Sequence, residues 1–210
     1  MLRQRSKKTH EDAARFGAKA NLGLGFAQLG VAVATGNVGF FTEFIHQTAD
    51  AASLQAKAEA MQGNRSPRSA RRLRKFGASI LLGGGFVGII GAANHILQNT
   101  TEDHSGSAIV AASVGAAINA VVALKSHGAE HGSHEGHTHQ HGAAKDTVVH
   151  IFTDMGTSIL YAGALATERH APGITNAVLI GNGIAIGGAG AHTVHRIHQD
   201  EQAHTSDSGT

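Results

Sequence analysis

The chain has 210 residues, of which 15% are charged, against about 25% in an average soluble domain; it contains sixteen histidines and 28 glycines but no cysteine or tryptophan. The lack of cysteine excludes disulfides and every Cys-ligated zinc, haem or iron–sulfur site, and 41% apolar residues with a net charge of +2 argue against general disorder. The mean hydropathy of −0.08 looks soluble only because it averages over segregated regions.

Residues 1–19 form a polar, basic tail with no cleavable signal, since no apolar core begins before Lys19. Four stretches then contain no Asp, Glu, Lys or Arg: 20–42, 76–101, 105–124 and 171–194. Each reaches the ~20 residues that a bilayer-spanning helix requires. Two further apolar segments carry charge, 42–61 with Glu43 and Asp50, and 147–167 with His150 and Asp154. The expected fold is therefore an all-α membrane protein, a bundle of six transmembrane helices near 20–38, 40–61, 76–97, 106–125, 146–167 and 174–195. The transport domain would be 20–195, followed by a polar tail over 196–210.

With both termini cytosolic, the inner loops are 62–75 and 126–145, and the outer connections are a turn near Gly36, a loop over 99–105 and a turn over 168–173. Sixteen of the seventeen Lys and Arg residues then lie inside, with Arg169 alone outside, as the positive-inside rule requires. Gly84, Gly88 and Gly91 in the third segment, and Gly183, Gly187 and Gly190 in the sixth, make small faces on which membrane helices pack closely. The basic run from Arg65 to Lys75 sits directly inside a span, which favours anionic lipid headgroups over nucleic acid. No phosphate-binding loop is present, so ATP-driven pumping is not expected; the chain is expected not to be an enzyme.

The second segment reads Glu43-Phe-Ile-His46-Gln-Thr-Ala-Asp50 and the fifth His150-Ile-Phe-Thr-Asp154. A His and an Asp four residues apart share one helix face. Two such helices facing each other present two imidazoles and two carboxylates, a donor set that Zn²⁺ accepts tetrahedrally. Ionisable residues at membrane depth normally mark an ion or proton path. Glu43 shares the face toward the outer end and is an accessory candidate. His95 with Asn94 reads as a helix-end hydrogen-bonded pair, and His192, His195 and His198 as interfacial residues at an inner helix end.

These motifs resemble the cation diffusion facilitators, in particular their zinc-transporter branch. The run Thr35-Gly-Asn-Val-Gly-Phe-Phe-Thr-Glu-Phe-Ile-His46-Gln-Thr-Ala-Asp50 is similar to that family's passage from the first helix into the second, and His150 to Ser158 to its fifth-helix pattern. The likeness covers roughly 15–197 and implies six transmembrane helices, His46, Asp50, His150 and Asp154 as ligands of the transported ion, and a homodimer. The family's cytosolic C-terminal domain is expected to be missing, since about fifteen polar residues follow the sixth segment.

Between the fourth and fifth segments, His127, His131, His134, His137, His139 and His141 are interleaved with Gly and Ser. Such a tract cannot pack a core, and its imidazoles suit several transition metals. Its placement resembles the His-rich loop of zinc transporters, which implies a role in gathering or sensing metal. The expected function is export of a divalent cation, Zn²⁺ foremost, with Co²⁺, Cd²⁺, Fe²⁺ and Mn²⁺ open, in exchange for protons across a lipid bilayer. Two other readings stand beside it: a membrane protein that binds or senses metal without transporting it, and a soluble His-rich metal-storage bundle.

Overall fold

A computed structural model describes residues 2–62, 67–102, 105–131 and 155–207, with side chains placed for 11–59, 72–102, 105–124 and 155–199. Among the described residues the regular structure is all helical. Its helices are α1 (Leu2–Thr35), α2 (Val38–Gln62), α3 (Pro67–Leu97), α4 (Gly106–His131), α5, described over 155–167, and α6 (Ile174–Asp207).

Three short connections lie where the sequence places them. Gly36 takes φ 70°, its N–H donating to Ala32 O at 2.8 Å, and Asn37 then caps α2 by accepting the Phe40 N–H on Oδ1 at 3.1 Å. Two residues thus reverse the chain between α1 and α2. Asn99 closes α3 with φ 53°, and Ser105 starts α4 by accepting the Ala108 N–H at 3.3 Å. Gly173, at φ 87°, leads into α6.

The opposite ends differ from expectation. α1 begins at Leu2 rather than near residue 20, α3 at Pro67 rather than 76, and α4 and α6 continue to His131 and Asp207. Charge ends an apolar stretch, but Lys, Arg, Glu, Gln and Ala are good helix formers, so it does not end the helix.

Neighbouring helices are antiparallel, and glycine sets how closely they approach. On α3, Gly77, Gly84, Gly88 and Gly91 face Ala49 and Ser53, Ile45, Thr42 and Val38 of α2 in turn. The expected face of Gly84, Gly88 and Gly91 is real, and its partner is α2. The expected face of Gly183, Gly187 and Gly190 on α6 meets α3 instead at Gly85 and around Leu82. A Cβ on Gly85 would come 2.5 Å from Gly183 O and 2.7 Å from Gly187 Cα, so the two backbones are in direct contact. α1 packs on α2 and on α4, where Gly17 and Gly115 meet Val122 and Gln28.

These contacts leave α2 enclosed. Phe40, Thr42, Glu43, His46, Gln47, Ala49 and Asp50 are all buried. Outward-facing positions of the other helices are apolar: Phe26 and Val33 on α1, Phe86 and Ile90 on α3, Leu160 on α5 and Ile184 on α6 are exposed. Polar groups are thus buried beside an apolar core of Phe40, Tyr161, Leu165 and Leu179, while large apolar side chains are also exposed on the outside of the bundle. Among the described residues, three helical segments are long and apolar enough to cross a membrane: Arg72–Leu97, Gly106–Leu124 and Ile174–Gln199.

Candidate metal centre

The expected α2 ligands are brought together. His46 and Asp50 occupy successive turns of α2, 1% and 3% exposed, with His46 Nε2 3.3 Å from Asp50 Oδ2. Helical spacing alone puts them on one face; enclosure of α2 puts that face inside the bundle. The two expected ligands of the fifth helix, His150 and Asp154, lie outside the described residues, Asp154 directly preceding Met155. Among the described residues, no three His, Asp or Glu side chains form a group that could hold a metal ion.

α5 runs antiparallel along α2. The Tyr161 hydroxyl donates to Asn37 Oδ1 at 2.5 Å, and its ring meets Phe40 edge-on at 5.8 Å between centroids. One turn earlier, the Ser158 hydroxyl donates to Glu43 Oε2 at 3.3 Å. The accessory candidate Glu43 is thus buried one turn from His46 toward the start of α2 and tied to the helix that faces it.

Glu43, His46, Gln47 and Asp50 recur at intervals of three, one and three, a polar stripe on one side of α2. Gln47 Nε2 donates to Asn119 Oδ1 at 3.2 Å, and Asn119 Nδ2 donates to Ser158 Oγ at 2.8 Å. A hydrogen-bonded chain therefore runs Gln47–Asn119–Ser158–Glu43 through α2, α4 and α5. Sequence reasoning missed Gln47, Asn119 and Ser158. For Asn119 the signal is a neutral polar residue inside a charge-free run, which is costly to bury unless hydrogen-bonded; Gln47 and Ser158 lie in the two segments that carry charge and give no such signal.

At the end of the bundle that carries the α1–α2 turn, two buried carboxylates hold helix starts. Glu102 accepts the N–H groups of Val38 at 3.0 Å and Gly39 at 3.2 Å, with His95 Nε2 3.5 Å away. Glu168 accepts the N–H of Gly173 at 2.6 Å, and the N–H and hydroxyl of Thr175 at 2.9 and 2.5 Å. Both complement the positive end of a helix. His95 bonds Thr100 Oγ1 through Nδ1 at 2.9 Å, while Asn94 accepts from Gln98, so the expected His95–Asn94 pair is replaced by separate bonds. His192, His195 and His198 are exposed, with His195 Nε2 2.9 Å from Gln199 Nε2.

Of the histidine tract, His127 and His131 lie within α4, beyond the start of the expected loop, and His134, His137, His139 and His141 lie outside the described residues. The chain matches no protein-family model and no curated protein.

Proposed function

We propose that the chain is a multi-pass membrane transporter of divalent cations, exporting Zn²⁺ in exchange for protons in the manner of the cation diffusion facilitators. In this reading all six helices span the bilayer and both termini face the cytosol. The supporting architecture is an outside rich in exposed large apolar side chains around an interior that also buries polar ones such as Glu43, Gln47 and Asp50. α1 and α2 are less apolar than the other spans because Asn21, Gln28 and the stripe from Glu43 to Asp50 face the interior, where a bilayer tolerates them.

The observation that carries the proposal is the buried His46–Asp50 pair on α2, beside a helix whose sequence repeats the same spacing. Zn²⁺ would take an imidazole and a carboxylate from each helix. The two aspartates balance its charge, and the imidazoles coordinate it only when unprotonated. Protons therefore compete with the metal for the same four side chains. Binding on the less acidic side and release on the more acidic side give exchange without a nucleotide.

Zinc uptake into proteoliposomes under an imposed pH gradient tests this reading. The expected result is uptake that collapses with the gradient and is lost in Asp50→Ala and Asp154→Ala. Uptake by both variants as fast as by the parent protein overturns the site, and zinc binding without uptake overturns transport.

A further inference from the structure

The histidines of α6 take no part in the site on α2. His192, His195 and His198 are exposed, whereas His46 is buried. Helical geometry, at about 100° per residue, sorts them. Gly183 and Gly190 face α3. His192 and His195 lie on the opposite side of α6, in line with the exposed residues Gly181, Ile184 and Gly188. His198 is turned about 60° further round from His195 and about 120° from His192.

At i and i+3, the Cβ atoms of His192 and His195 are about 5–6 Å apart, so both imidazoles can reach one ion. Gln199 Nε2 lies 2.9 Å from His195 Nε2. An amide nitrogen only donates, which makes this ring nitrogen the unprotonated acceptor, the kind of atom a metal takes. α3, which carries Arg72, Arg74 and Lys75, packs on the other side of α6 at Gly190. The body of α6 therefore stands between that basic stretch and a cation at the pair. Counted from Ile174, where α6 begins, His195 is about 32 Å along the axis, just past a ~30 Å hydrocarbon core. An ion reaches it from water.

We propose that His192 and His195 form a separate, exposed metal site on α6 that takes a transition-metal dication of the Zn²⁺ type. Imidazole nitrogen suits such ions better than Mg²⁺ or Ca²⁺, which prefer oxygen. Structural zinc sites take four protein ligands. Two leave the remaining positions to water, so the ion exchanges readily. The site stands whether or not the chain transports metal.

Carbethoxylation of unprotonated imidazoles, followed residue by residue by peptide mass spectrometry on the full chain in detergent, tests the pair with Zn²⁺ as the probe. Zinc should slow modification of His192 and His195 at least about tenfold, at a concentration that leaves the exposed His170 and His198 unprotected. His195→Ala should abolish the protection of His192, and His192→Ala that of His195. Asp50→Ala, which removes a ligand of the proposed transport site, should leave the protection of both unchanged. Equal protection of His170 or His198, or protection of His192 that survives His195→Ala, overturns the pair. Protection regained on mixing the two histidine variants overturns it too, because the ligands would then come from different copies. Loss of protection in Asp50→Ala overturns a separate site. Paired protection in a protein that moves no zinc overturns the transport reading and leaves this site standing.

Discussion

Tyr161 and Asn37 join α5 to the first turn of α2: the phenol donates to the amide oxygen that also caps α2 through the Phe40 N–H. Tyr161→Phe keeps the edge-on contact with Phe40 and removes only the donor. The expected loss is about 1 kcal/mol, or a fall of roughly 2–4 °C in Tm for a chain of this size, read by thermal unfolding in detergent. Gly39→Ala should cost more than Tyr161→Phe in the same assay, because a Cβ at Gly39 would occupy the position of the Tyr161 hydroxyl.

Glu102 makes the matching connection from the segment between α3 and α4. Glu102→Ala removes the acceptor of two buried N–H groups, and should destabilise by about 2 kcal/mol. Glu102→Gln retains one acceptor oxygen and should lose about half of that. Equal melting temperatures for the two variants would show that the carboxylate does not hold α2.

Gly85 tests the contact between α3 and α6. Gly85→Ala places a methyl 2.5 Å from Gly183 O, so the backbones must separate, at an expected cost of about 1–3 kcal/mol. Gly83→Ala, on the same helix with open space around its Cβ position, should be neutral or slightly stabilising. Thermal unfolding of the pair separates close packing from the general effect of adding a methyl.

Asp50→Asn keeps shape and removes one of the charges proposed to face the ion. Zinc affinity should fall by at least ~100-fold by calorimetric titration in detergent, more than the roughly 10–100-fold typical of losing a group that only hydrogen-bonds a metal ligand. In the unsubstituted protein, affinity should decrease as pH falls from about 7.5 to about 5.5, because protons occupy the same ligands. Affinity that is flat over that range would exclude competition between proton and metal.

Deleting 127–141 removes six histidines and the last turns of α4. Transport should persist at high zinc, with a raised apparent KM and an unchanged maximal rate, measured in proteoliposomes. Complete loss of transport would place an essential element in the tract.

The helix ends at the three short connections were legible because they carry turn chemistry: Gly36, Asn99 and Gly173 all adopt positive φ. The opposite ends were not, because nothing in the runs before residue 20 or after residue 195 stops a helix. His46 and Asp50 could be read from their spacing, since i and i+4 needs no tertiary information. Gln47, Asn119 and Ser158 could not, because none belongs to a spacing motif and only packing of α2 against α4 and α5 brings them together. The glycine faces were visible as spacing, whereas the partner of each face depends on which helices the bundle makes neighbours.

The contact of Gly85 with Gly183 also bears on the order of assembly. Its two halves are about a hundred residues apart, so during synthesis α3 must wait for the last helix before its backbone gains that neighbour. Until then the α6-facing side of α3 is bare, while its α2-facing side can already be covered. Biogenesis is thereby divided into an early hairpin stage and a late clasp, and chains cut short before α6 should be the ones that quality control removes.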